Sequence, residues 1–341
     1  MGGLTTERTR KSVPSIWLPL SHTEALASLP GYRLTALCDR EPEQAVRVAE
    51  KFPGSRPYSD HLTMLEEEKP AVVGIATRTA GRCDIIADCV RAGVKGIHAE
   101  KPLAGSLREC HMALSELEQQ RVAFTYGAVR RYMAPYRLAR EVMLSGEIGQ
   151  LRQVVIEHGS DMLMWAHPHS VDLALFYRPD AVATGIRARL DIRQGAYADG
   201  VLDDDPLLVN ACIDFSDGSS VVVTAAHGFN VRLCGETGSV TVIGDGSRVE
   251  LRKKEVGRPY ELTHQGLAVG ACPSGTQAAF MNIEHALMSG SPTGTGYIEV
   301  EMAHRILFAM ALSELQGGRM VRPDEVPDDF RVTGRFGDLY A

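Results

Sequence analysis

The chain reads as an α/β protein: an N-terminal part that alternates strand and helix about a parallel, doubly wound sheet, followed by an α+β part dominated by strands. Three observations lead there. Strand-like and helix-like runs alternate from about residue 33 to 126, a spacing that places consecutive strands side by side with helical crossovers. Residues 71–76, AVVGIA, are apolar throughout, as a parallel strand covered on both faces must be. Beyond about 182 the period changes to two, for instance at Val209, Ala211, Ile213 and Phe215, with glycine-bounded turns between runs. At 341 residues the chain exceeds what one hydrophobic core supports, so two domains are expected, 1–127 and 128–341.

Residues 1–13 are polar and show no period, the pattern of a flexible arm. The run 21–24, SHTE, is a capping box that opens a helix to about 29, because a serine followed three residues later by glutamate satisfies the first N–H groups. A strand is expected at 33–38 and a helix at 41–52 with Pro42 in its first turn. Then come a short helix at 60–67, the strand 71–76, a helix at 84–92, the strand opening VKGIHAEKPL (94–103), a helix at 106–120 capped by Ser106 and Glu109, and a strand at 122–126. In the second part a helix is expected at 135–145, a strand at 151–158 and a helix after the turn at 165–169. Strands follow at 182–190, 207–215, 219–226, 230–234, 239–243 and 248–253, with helices at 278–288 and 299–316. The acidic run Asp203, Asp204, Asp205 reads most simply as a solvated loop.

Composition narrows the function. A hydrophobic fraction of 44% and a charged fraction of 23% are those of an ordinary soluble globular protein. A net charge of −7 argues against nucleic acid or an anionic membrane as the main partner. No apolar run approaches the roughly 18 residues of a membrane span. Seven scattered cysteines without a C-x-x-C pair, and no apolar leader, fit unpaired thiols in a reducing cytoplasm.

The stretch that organises the rest is 94–103. It ends a buried strand in Glu100, Lys101 and Pro102, at the edge where open α/β sheets bind ligands. Proline biases its predecessor toward extended backbone, which aims the lysine outward; taken alone, a solvated surface lysine is the alternative.

The spaced motifs LTALCDR (34–40), GIATRT (74–79), AGVKGIHAEKP (92–102), SGEIG (145–149), HSVD (169–172) and GETGSV (235–240) together resemble the Gfo/Idh/MocA family. The likeness spans about 22–323. It implies a Rossmann-type N-terminal domain and a C-terminal domain with a large open, mostly antiparallel sheet that forms a homodimer. It also implies hydride transfer between NAD or NADP and a hydroxyl carbon of a sugar-like or cyclitol substrate. Such a reaction needs a base for the hydroxyl proton. Lys101 serves when burial or the positive nicotinamide ring lowers its pKa, and His169 is the second candidate because imidazole titrates near neutrality. Asp172, on the same helix face, can orient that ring or complement the helix dipole. Arg130, Arg131 and Tyr132 resemble the family segment that lines the substrate site, with a solvated arginine pair as the alternative; Trp165 stands on the same side. Cofactor contacts are implied for Ala76, Thr77, Arg78, Thr79 and Arg82, for Glu100 and Lys101, and for Asp39 and Arg40. Asp39 suits the ribose hydroxyls of NAD, whereas Arg40 suits the extra phosphate of NADP, so the choice stays open.

The sequence departs from the family in three places. The glycine positions of the family's G-x-G-x-x-G fall on Pro14, Ile16 and Pro19; prolines offer no N–H, and losing two charge-assisted hydrogen bonds of about 1.5–3 kcal/mol each costs two to four decades of affinity. The strand before that loop is missing: TTERTRKS (5–12) is too polar for the middle of a sheet, so either 15–20 substitutes for it or the sheet is incomplete. Arg78 and Arg82 replace a proline and a histidine, and Trp165 an acid. Two arginines at a strand end can hold a carboxylate or phosphate. A zinc site from His167, His169 and Asp161 or Asp172 is the minor alternative, since no third ligand has fixed spacing; none is assigned. Besides the dehydrogenase, two readings stay open: a cofactor-free small-molecule-binding or regulatory protein, and a non-redox acid–base catalyst.

Overall fold

The computed structural model describes residues 3–255 and 257–334. The chain divides into two compact units. One comprises the described part of Met1–Val129 together with Pro273–Ile298; the other comprises Arg130–Cys272 and the described part of Glu299–Phe336.

In the first unit the parallel strands form two separate pieces. Ala36–Cys38 pairs with Arg56–Tyr58, while Val72–Ile75, Gly96–Ala99 and Ala123–Tyr126 form a three-stranded sheet in that order. A doubly wound sheet places its first strand between the second and the fourth. Among the described residues no strand precedes Ala36, and the sheet is interrupted at that position. Burial follows the interruption: Gly96–Ala99 is buried at every residue, whereas Val72–Ile75 and Ala36–Cys38, which would flank a first strand, are mostly half-buried.

Residues 15–20 do not substitute for the missing strand. Ser15–Trp17 is one turn of 3-10 helix, consistent with Pro14 and Pro19 removing two donors from any ladder. The carbonyls of Pro19 and Leu20 instead accept hydrogen bonds from Ser274 Oγ at 2.7 Å and Thr276 Oγ1 at 3.0 Å. Nor is the N-terminal stretch a featureless arm. Thr6 caps a short helix, Glu7–Ser12, whose acidic first turn and basic last turn complement its dipole. That helix buries no residue, which is why its sequence shows no apolar period.

The helix Gly275–Ser289, expected in a contiguous second domain, packs on the first unit. Glycines at 74 and 96 admit it: a Cβ on Gly96 would stand 2.5 Å from Ile283 Cγ2, and one on Gly74 3.1 Å from Phe280 Cζ. Phe280 and Ile283 close a core with Ala25 and Leu29.

The second unit is built on a nine-stranded sheet. Its path runs Arg258–Leu267, Arg248–Glu255, Gly238–Ile243, Asn230–Gly235, Leu151–Glu157, Ser220–Val223, Leu207–Phe215, Asp161–Met162, with Ala183–Asp191 also paired to Leu207–Phe215. Among these pairings only Leu151–Glu157 with Ser220–Val223 is parallel. The strand Arg258–Leu267 has no counterpart in the sequence reading. Asp203, Asp204 and Asp205 are not merely solvated. Asp204 accepts from the Arg193 N–H at 2.9 Å, and Asp205 accepts from the N–H groups of Met164 at 2.7 Å and Trp165 at 3.1 Å, fixing the turn before the helix Pro168–Phe176. None of the seven cysteines forms a disulfide, and among the described residues no helix is long and apolar enough to cross a membrane.

Candidate functional site

In the first unit the candidate residues gather where three parallel strands end. Lys101 follows Gly96–Ala99 and is only 5% exposed, so the side chain expected to point outward is buried. Its peptide bond to Pro102 is cis. Glu100 accepts from the Lys101 N–H at 3.2 Å through Oε2 and meets His22 Nε2 at 3.3 Å through Oε1. Burial acts to raise the Glu100 pKa, but the His22 hydrogen bond and the charge on Lys101 outweigh it and hold the carboxyl well below its usual range. The neighbouring Gly127 lies so close that a Cβ would stand 2.8 Å from Glu100 Cα and 2.9 Å from the Lys101 nitrogen; glycine is required by this approach.

Arg82 has a different task from the one its sequence position invites. It is 2% exposed, and its guanidinium donates to the backbone carbonyls of Glu100 (2.7 Å), Pro102 and Thr77. Burial lowers its pKa. It is a clamp joining two strand-end loops, with its Nη groups directed at carbonyls, while its Nε is buried with no hydrogen-bond partner. Beside it, Ala76 is half-buried, Thr77 and Arg78 are exposed, and Thr79 is buried with its hydroxyl oxygen unmatched by any hydrogen bond. Asp39 and Arg40 are both exposed at the end of Ala36–Cys38; one Asp39 oxygen accepts from the Glu41 N–H at 3.0 Å.

These residues fit the ends of a nicotinamide dinucleotide better than its middle. The orphaned Thr79 hydroxyl, in the segment after Val72–Ile75, leaves a polar atom for a ligand, and Asp39 presents a carboxylate for ribose hydroxyls. The pyrophosphate has no such place. Ser21 caps the helix His22–Ser28 by accepting from the Glu24 N–H, but the reciprocal half of the expected capping box is absent. Glu24 turns instead to Thr5 and Arg10, and the Ser21 N–H donates to Thr5 Oγ1 at 3.3 Å.

In the second unit the pair of arginines is neither solvated nor open. Arg130 donates from both Nε and Nη2 to Asp245 at 2.8 Å, and Tyr136 donates to the same carboxylate at 2.8 Å. Arg131 donates to Asp172 at 2.9 Å and to Glu299 at 2.6 Å. The expected pairing of Asp172 with His169 therefore gives way to Asp172 with Arg131, because a buried guanidinium requires a counter-charge. Burial pushes Asp172 up to about 6 despite that partner. Tyr132 is buried, whereas Trp165 and His169 are half-buried, His169 as the second residue of the helix Pro168–Phe176. His167 and His158 both meet the Ser170 hydroxyl through Nδ1, at 3.1 and 2.9 Å. Burial lowers His167 to about 4 and holds His158 well below its ordinary value. Among the described residues no three histidine, cysteine or acidic side chains come together as a metal would need.

Several residues that shape these sites gave little warning. Asp245 and Glu299 carried no motif, and His98 sits inside an apolar strand. His98 is fully buried, donates to or accepts from Thr125 Oγ1 at 2.9 Å, and packs against the His22 ring at 4.7 Å.

Comparison with known proteins adds context. Residues 19–128 match the GFO_IDH_MocA family model, described as an oxidoreductase family with an NAD-binding Rossmann fold; the match begins at Pro19, after the altered loop positions Pro14 and Ile16. Inositol 2-dehydrogenase 2 of Saccharopolyspora erythraea is 23% identical over 297 residues, covering 83% of this chain and 87% of that protein. An oxidoreductase from Agrobacterium radiobacter, crystallised with NAD+, L-tartaric acid and magnesium, superposes with a TM-score of 0.72 at 18% identity over 89% of this chain and 94% of its own. A super-repressor mutant of Gal80p from Saccharomyces cerevisiae has the same fold, with a TM-score of 0.72 at 11% identity over 91% and 95% of the two chains.

Proposed function

The chain belongs to the Gfo/Idh/MocA family of oxidoreductases, and we propose that it transfers a hydride between NAD or NADP and a hydroxyl carbon of a sugar-like or cyclitol substrate. The observation that carries this reading is the preserved strand-end constellation: Lys101 buried beside an ionised Glu100, with Arg82 and Gly127 fixing both backbones. When bound, the coenzyme supplies the hydride acceptor or donor. This chain's own residues handle the proton. In its neutral form Lys101 takes the proton from the substrate hydroxyl and becomes an ammonium whose charge Glu100 compensates, and His169 is the second proton carrier. Arg131, engaged with Asp172 and Glu299, acts on the substrate side through the elements it braces. The protein works as a homodimer through the sheet of its second unit, in the cytoplasm.

The test is turnover of a polyol panel that includes myo-inositol, at millimolar NAD and NADP. Lys101→Ala is expected to lower kcat about 10²–10⁴-fold while leaving the circular dichroism spectrum unchanged; equal turnover in the variant would refute the assignment. A second reading has its own observation. Glu24 lies at the head of the helix where a dinucleotide's phosphates bind, which favours a cofactor-free binding protein or non-redox acid–base catalyst using the same lysine. Absence of turnover and of binding heat with NAD, NADH, NADP and NADPH would decide for it.

A further inference from the structure

The phosphates of a dinucleotide meet a Rossmann-type domain at the head of its first helix, where N–H groups and the helix dipole receive negative charge. In this chain the helix that immediately precedes the first parallel strand is His22–Ser28, and its head already holds an anion. The Glu24 side chain is 13% exposed. Its Oε2 accepts from the Thr5 N–H at 3.2 Å, from Ser21 Oγ at 2.9 Å and from the Thr5 hydroxyl, while Oε1 pairs with Arg10. Three of the local N–H groups are engaged as well. Glu24 donates to Ser21 Oγ at 3.2 Å, Ser21 donates to Thr5 Oγ1 at 3.3 Å, and Ala25 donates to the Ser21 carbonyl at 3.0 Å. Upstream, the loop that would wrap a pyrophosphate is a turn carrying Pro14 and Pro19, with Trp17 buried in it.

We infer that the phosphates of a nicotinamide coenzyme contribute nothing to binding by this chain: Glu24, clamped by Thr5, Ser21 and Arg10, occupies their place, and the coenzyme is held by its nucleoside ends alone. A ligand pyrophosphate brought to the same position would face a carboxylate of its own sign and donors already in use. The family's phosphate cradle has become an internal ion-pair and hydrogen-bond cluster that ties residues 5–10 to the helix His22–Ser28. The inference takes from the proposed function only the choice of ligand to test.

The experiment is calorimetric titration of the full chain with adenosine, ADP and ADP-ribose at low and at high salt, with hydrogen exchange followed at residues 21–25. ADP and ADP-ribose are expected to bind within about threefold of adenosine, with no salt dependence and no added protection at 21–25; failure of adenosine to bind would overturn the claim that the nucleoside ends hold the coenzyme. Binding of ADP-ribose about tenfold or more tighter than adenosine, weakening with salt, or slowed exchange at 21–25 when it is added, would overturn the inference. Such an overturning would leave the proposed dehydrogenase standing, because a tight ADP-ribose complex is what that enzyme needs. Lys101-independent turnover would refute the proposed function without touching the phosphate result.

Discussion

Acid sensitivity of the first unit offers a quantitative check on its core. His98 is fully buried in the central strand, and burial, helped by the adjacent His22, pushes its pKa down to about 3 from an ordinary 6.5. The imidazole is therefore neutral in the folded unit at any pH above about 3, whereas in the unfolded chain it takes up a proton below 6.5. The unfolded state binds more protons in that window, so stability contributed by this residue is complete above 6.5 and falls as the pH drops. Between pH 7.5 and 5 the loss is RT times the logarithm of the unfolded chain's protonation factor, about 2 kcal/mol. Glu100, whose folded pKa is depressed, keeps its contribution down to about 4.5 and scarcely enters. Trp17 lies in the first unit and Trp165 in the second, so denaturant unfolding followed by fluorescence in a Trp165→Phe background reports on the first unit. His98→Phe deprives Thr125 of its partner and costs stability at every pH, but it should flatten the slope between pH 5 and 7.5 by about 2 kcal/mol. Parallel slopes in the two proteins would show that His98 is not the neutral, buried group described here.

Three substitutions probe the geometry directly. Gly127→Ala places a methyl 2.8 Å from Glu100 Cα, against backbone that cannot yield cheaply, and should cost about 1–3 kcal/mol and displace Lys101, seen as a fall in kcat on any substrate found. Arg82→Met removes the donor shared by the carbonyls of Thr77, Glu100 and Pro102; a loss of about 3–5 kcal/mol in the denaturant midpoint of the first unit is expected, and a loss below 1 kcal/mol would contradict the clamp. Asp245→Ala leaves Arg130 buried without its bidentate partner and should destabilise the second unit by about 3–5 kcal/mol, with Trp165 as the reporter.

What the sequence disclosed follows from where its signals come from. The parallel strands Val72–Ile75, Gly96–Ala99 and Ala123–Tyr126 were legible because their residues are mostly apolar, and most helices because they carry one apolar stripe; Arg56–Tyr58 and Glu7–Ser12, with no such pattern, were missed. Arg258–Leu267 escaped because its described residues are almost all exposed, leaving no burial pattern to read. The roles of Arg82 and Arg130 were invisible for another reason. A buried guanidinium is defined by its acceptors, and two of the three for Arg82 lie 18 and 20 residues away, while that of Arg130 lies 115 residues away. The altered glycine positions were evident in the sequence, which left open whether 15–20 replaced the first strand; that Glu24 would leave half its capping box to hold Thr5 and Arg10 was not evident, because the residues that recruit it had no period of their own.

The same logic explains how an interrupted sheet is closed. Without a strand between Ala36–Cys38 and Val72–Ile75, the first unit loses the element whose ladder would tie its two pieces together. The returning segment Pro273–Ile298 makes many of the connections that remain. Ser274 and Thr276 capture the Pro19 and Leu20 carbonyls, Tyr32 donates to the Phe280 carbonyl at 2.7 Å, and Tyr297 donates to the Val122 carbonyl at 2.6 Å. Phe280 and Ile283 meanwhile reach the strand backbone through the bare glycines at 74 and 96. Stability of the first unit thus depends on residues some 250 positions further along the chain, a closure of high loop entropy that must follow the local elements. A domain cut at residue 127 would discard the segment that seals its core.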